Sequence, residues 1–122
     1  MKHWTHQAAD AFAIHWIEAW NNHDLEAILS HYDDHIVFLS PIAEQRVGNG
    51  KVVGREALRH YWSVGLAAQP QLRFVLDKVL VGFGAVTLYY RNHRNQSVAE
   101  TFEFNASGRV VRVYACYADD AT

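Results

Sequence analysis

In the segment VAETFEF (residues 98–104) apolar and polar side chains fall on alternate positions, and a β-strand sends alternate side chains to opposite faces. Val98, Glu100, Phe102 and Phe104 share one face; Ala99, Thr101 and Glu103 share the other. The face with two phenylalanines is the core-facing one, and it carries Glu100 inward with them. A carboxylate among aromatics is costly to bury ionised, so it shifts its pKa or acquires a partner. Such groups concentrate at functional sites, which makes Glu100 the first candidate of this chain.

Short polar turns bracket the segment on both sides. Leu72 to Val81 reads as a long strand, and Gly82-Phe83-Gly84 turns the chain into a second strand, Ala85 to Asn92. His93 to Ser97 lead into the Glu100 strand, and Asn105 to Gly108 lead into a last one, Arg109 to Ala118. Tight turns join neighbouring strands, so this half is predicted to be an antiparallel meander. Strand parity assigns Val86, Leu88, Tyr90 and Asn92, with Val111, Val113, Ala115 and Tyr117, to the inner face.

The first half is helical. Phe12, Trp16 and Trp20 recur every four residues beside a row of Ala9, Ala13 and Ile17, which predicts a helix from about Thr5 to Asn21. Asp24 can cap a short second helix that buries Leu25, Ile28, Leu29 and Tyr32, with Asp33 and Asp34 ending it. HIVFLS (35–40) reads as a strand stopped by Pro41, with Ile36, Phe38 and Ser40 on one face. Residues 42–50 read as a loop, Val52-Val53 as a short strand, and Gly54 to Leu66 as a third helix burying Leu58, Tyr61, Trp62 and Leu66. Helices first and sheet later indicate an α+β fold in which the sheet curves around the helices and leaves space for a small ligand.

The 122 residues are 50% hydrophobic and 13% aromatic, which suits one domain (residues 1–122) with a real core and argues against disorder. A net charge of −2 with interspersed signs gives no nucleic-acid footprint. No apolar run reaches the length of a membrane span, and the N-terminus has no apolar stretch of a secretory signal. The lone Cys116 excludes an internal disulfide framework and fits a cytoplasmic setting.

The stretches WIEAWNNHDLEAILSHYDDHIVFLSP (16–41), VGREALRHYW (53–62) and FEFNASGRVVRVYACY (102–117), in this order and spacing, resemble the SnoaL-like branch of the nuclear transport factor 2-like superfamily. The resemblance runs from about Phe12 to Tyr117. It implies a cystatin-like, cone-shaped α+β barrel: a curved antiparallel sheet wrapped around N-terminal helices. It also implies a homodimer. This fold hosts isomerases, cyclases, dehydratases, hydrolases and non-enzymes, so it does not specify a reaction. The first stretch is most similar to ketosteroid isomerase, whose helix tyrosine, aspartate base and acidic donor fall here on Trp16, Ser40 and Glu100. Ser40 has no useful basicity and Trp16 can only donate an N–H, so ketosteroid isomerase activity itself is not expected. Polyketide cyclases and limonene epoxide hydrolase of the superfamily also carry acidic residues on the later strands, which leaves proton transfer by Glu100 open.

The expected site is an aromatic pocket with few polar groups, as small-molecule sites are. Glu100 is its candidate acid or base; Trp16, Trp20, Tyr32, Phe38, Ser40, Trp62, Tyr90, Asn92, Phe102, Val113 and Tyr117 are its candidate ligand-binding residues. The ligand would be small, largely apolar and oxygen-bearing. No Gly-rich phosphate loop implies an organic cofactor. Among the eight histidines, His31 and His35 are four apart but straddle a helix–strand boundary, and His3 and His6 lie at the terminus, so no metal site is expected. His60 should be exposed, and Cys116 should be structural on the outer face. Arg91, His93 and Arg94 at a hairpin tip read as a solvated turn that could meet an anionic ligand at the pocket mouth. Tyr89, Arg91, Thr101, Glu103, Arg112 and Tyr114 make an outer sheet face suited to a homodimer contact. Three functions stay open: a proton-transfer enzyme, a non-catalytic binding module, and a protein-interaction subunit using that outer face.

Overall fold

The computed structural model describes residues 4–119, so His3 lies outside the described residues. The elements run α1 (His6–Asn21), α2 (Leu25–Leu29), β1 (Tyr32–Leu39), α3 (Pro41–Val47), β2 (Lys51–Val53), α4 (Arg55–Ala68), β3 (Val75–Gly82), β4 (Ala85–Arg91), β5 (Ser97–Phe104) and β6 (Val110–Tyr117). They form an α+β fold whose six strands make one curved, unclosed sheet in the order β2-β1-β6-β5-β4-β3. The meander β3 to β6 is antiparallel throughout. The β1–β6 pair is parallel. No hairpin joins these two strands, so no turn imposes the antiparallel sense on them.

Helix α1 begins where the Thr5 hydroxyl accepts the Ala8 N–H at 3.0 Å, and it buries Ala9, Phe12, Ala13, Trp16, Ala19 and Trp20 against the sheet. Its C-terminal end fixes the approach to β3. Asn21 both donates to the Phe74 carbonyl and accepts the Phe74 N–H (3.0 and 2.7 Å), and His23 bonds the Leu72 carbonyl at 2.9 Å. These bonds occupy backbone groups of residues 72–74 that a ladder would need. The strand expected from Leu72 therefore starts at Val75.

Three other expectations are corrected. Tyr32 does not close the second helix; it opens β1, three residues earlier than the strand start read at His35. Its ring is nonetheless fully buried. Residues 42–50 are not all loop: Ser40 caps α3 through the Ile42 N–H at 3.1 Å, Pro41 occupies the first turn, and Gly48 (φ 76°) ends it in the left-handed region. Pro41 thus ends one element and starts the next. On β6, a register shift opposite Glu103 and Phe104 turns Val110 inward and leaves Val111 half-buried, so simple alternation fails at the start of that strand.

Candidate functional site

Glu100 is paired across the sheet with Leu88 on β4 and Ala115 on β6, and it points into the concave face. Only 4% of it is exposed. The Tyr90 hydroxyl, on the strand beside it, donates to its Oε1 at 2.7 Å. Burial pushes the Glu100 carboxyl up to about 7, although the Tyr90 hydrogen bond pulls the other way by favouring the ionised form. Burial and the Glu100 charge push Tyr90, Tyr32 and Tyr117 upward. All three phenols therefore stay protonated around this one acid.

Glu100 lines a cavity of about 220 Å³ between the sheet and the helices. That is below the range of about 300–1,000 Å³ that holds drug-sized molecules, so the space suits a smaller ligand. The aromatic wall is cross-braced. Phe74 lies 4.6 Å from Tyr90 and stacks on Trp16 at 5.7 Å, and the edge of Trp20 meets Trp62 at 4.9 Å, between ring centroids. Phe38 packs on Trp62 at 5.4 Å.

Of the residues expected at the site, Trp16, Trp20, Phe38, Ser40, Trp62, Tyr90, Asn92, Glu100 and Tyr117 line this cavity. Tyr32, Phe102 and Val113 are fully buried but are not part of its lining. Tyr32 instead accepts the Trp16 indole N–H at 3.0 Å, so that N–H is directed to a phenol rather than to Glu100. Phe102 packs edge-on behind Trp16 and against Phe12. Asn92 spends its side chain on the hairpin: its carbonyl oxygen accepts from the Arg94 and Gln96 backbone N–H groups, each at 3.0 Å. Ser40 is engaged as the α3 cap.

The cavity also takes residues outside the expected ligand-binding set. Leu72 and Phe74 enter because Asn21 holds their segment against α1. Ile42, Gln45 and Arg46 enter on α3. A Ser-Pro pair followed by Gly48 is a start-and-stop signal that could have revealed that helix. Tyr61, Leu66 and Gln69 come from α4 and the turn after it, and Gln96 from the hairpin. His93 and Arg94, read as a solvated turn that could meet an anionic ligand at the pocket mouth, line the cavity, and His93 is half-buried.

His31 does not pair with His35. It meets His15 on α1 at 2.7 Å, and burial, then the neighbouring His15 and Arg109 charges, lower its pKa to about 4. His35 and His60 are exposed. On the outer face, Cys116 is exposed, Thr87 and Thr101 hydroxyls meet at 2.9 Å, and Arg112 donates to the Tyr114 hydroxyl at 2.9 Å.

The order of elements and the curved sheet have counterparts among known proteins. The SnoaL-like domain family matches residues 13–118. The chain belongs to the SnoaL-like family. It is similar to the crystal structure of a SnoaL-like protein of unknown function from Burkholderia thailandensis E264, with 38% identity and a TM-score of 0.92 over 94% of this chain and 98% of the other. A protein of unknown function with a cystatin-like fold from Methylobium petroleophilum PM1 superposes with a TM-score of 0.77 over 98% of this chain and 82% of the other. At 16% identity it shows the shared cystatin-like fold alone. No curated protein matches the chain. No described helix is long and apolar enough to cross a membrane.

Proposed function

We propose that this SnoaL-like protein binds a small, largely apolar, oxygen-bearing molecule in the concave cavity and that Glu100 exchanges a proton with it. One observation carries this reading. A carboxyl whose pKa is raised to about 7 lines an aromatic cavity while a neighbouring tyrosine holds one of its oxygens. Near neutral pH such a group can accept a proton from the ligand and return it, without a partner of different pKa. Isomerisation, cyclisation, dehydration and epoxide opening all fit that role. Tyr90 orients the carboxyl, and the aromatic wall holds the ligand and excludes water.

The test is a panel of small carbonyl and epoxide compounds offered to the wild type and to Glu100→Gln. Turnover by the wild type should fall by about 100-fold or more in the variant, with ligand affinity retained. Binding without turnover in either protein would instead establish a non-catalytic binding module. The use of the Ser40 hydroxyl as a helix cap favours that second reading, because Ser40 stands where the resemblance to ketosteroid isomerase puts the base.

The outer sheet face is the proposed homodimer contact. Tyr89 and Tyr114 are 37% and 39% exposed there, beside Arg112 and Glu103, and such mixed aromatic and polar surfaces are common at interfaces. Light scattering behind size-exclusion chromatography should give a dimer for the wild type and a monomer for Tyr114→Asp; a monomeric wild type would remove the proposal.

A further inference from the structure

The cavity is chemically two-ended. Its floor is made by buried aromatics and by Glu100, the one acid in the lining among the described residues. Its exposed rim carries guanidinium groups from two separate elements: Arg46 near the end of α3, and Arg94, beside the half-buried His93, in the hairpin between β4 and β5. These elements are not neighbours in the chain or in the sheet, so the convergence of these groups on one cavity is a product of the fold. A Cβ added at Gly65, which lines the cavity on α4, would lie 3.4 Å from an Arg46 guanidinium nitrogen, so the guanidinium reaches from α3 to the cavity wall. It forms no ion pair among the described residues, whereas Arg55, Arg59 and Arg91 each do.

From this arrangement we infer that the ligand is an amphipathic carboxylic acid, with its apolar body between the aromatic walls and its carboxylate at the rim against Arg46 and the hairpin. The inference rests on the cavity being the binding site, as proposed above. A planar guanidinium matches a carboxylate in two parallel hydrogen bonds. The cationic rim also orients the ligand. With the anionic head at the mouth, the far end of the apolar body is delivered to Glu100 on the floor, and the two negative charges are kept apart. A neutral ligand would find the same walls without this orientation.

The test compares 2-naphthoate with its neutral isostere 2-naphthamide by isothermal titration calorimetry. The wild type should bind the acid roughly tenfold more tightly than the amide, the effect of one charge-assisted contact at a partly exposed site. Raising the salt concentration should narrow that gap, because exposed charges are screened. Arg46→Gln should abolish the preference by weakening naphthoate and leaving naphthamide unchanged; Arg46 is exposed, so the fold tolerates the change. Lys78→Gln removes an equal charge from the exposed side of β3, outside the cavity lining, and should keep the preference. Equal affinities for the two probes, or a preference that survives Arg46→Gln, would overturn the carboxylate proposal and leave the cavity reading intact. Binding of neither probe would overturn both. Loss of turnover in Glu100→Gln is a separate readout, so the proton-transfer reading stands or falls independently.

Discussion

Strand β5 carries two glutamates three residues apart, and they live in different solvents. Glu100 points into the concave face, 4% exposed, bonded to Tyr90 and held near a pKa of 7. Glu103 points to the outer face and is exposed. Their neighbours on β4 repeat the contrast, since Tyr90 is buried beside Glu100 while Tyr89 is exposed on the other side. Residue type is the same across each pair. What differs is the medium, and desolvation alone converts an ordinary solvated carboxylate into one that titrates near neutrality.

The contrast can be broken most forcefully at the aromatic wall. Trp16 is fully buried and contacts Phe74, Tyr90 and Phe102, so Trp16→Ala should cost about 3–5 kcal/mol of stability in urea denaturation. A loss below about 1 kcal/mol would show that the inner face is not a packed core.

The next effect is a dependence of stability on pH. The Glu100 carboxyl titrates at about 7 when folded, against an ordinary value of 4.5, so between these pH values the native state holds a proton that the unfolded chain has released. Its contribution to stability is therefore greatest below about pH 4.5, falls as pH rises toward 7, and levels off above it, a total of about 3 kcal/mol. Stability of the wild type and of Glu100→Gln, compared from pH 4 to 8, should diverge in this window, with the variant flatter. A Glu100→Gln profile parallel to the wild type would mean that the carboxyl is solvated.

Tyr90→Phe sharpens the comparison from the partner's side. It removes the donor that favours the ionised carboxyl, so the Glu100 pKa, followed by carbon-13 NMR, should move further upward. Above neutral pH the variant should lose about 1.5–3 kcal/mol, the contribution of a hydrogen bond to a charged group. An unchanged Glu100 titration would remove Tyr90 from the site. The smallest effect belongs to the outer face. Glu103→Gln should change the stability of the folded chain by no more than about 0.5 kcal/mol, as surface substitutions do; a larger loss would mean that this face is covered.

Much of this site was legible because the period of a strand is short and local. The alternation in residues 98–104 is enough to turn Glu100 inward, and the fourfold spacing of Phe12, Trp16 and Trp20 is enough to bury them together. The inner tyrosine that bonds Glu100 also follows from parity on the adjacent strand. Alternation failed at Val110 and Val111, where a register shift inserts an extra residue that no local pattern announces. Tyr32, Phe102 and Val113 were correctly placed in the interior, but burial does not distinguish a cavity wall from the core behind it. That distinction depends on where neighbouring side chains leave space.

The amino-acid order by itself determined the α+β class, the antiparallel meander and the inward acid, since each follows from spacing within one element or from the turn between two. Only the tertiary structure decided which groups share the cavity. Asn21 anchoring Phe74 joins residues 53 positions apart, and Arg46 meets the same cavity as His93 and Arg94. Such meetings are governed by how the sheet curves over the helices and by which backbone groups find partners at their ends. These properties belong to the packed chain, and no segment of it carries them alone.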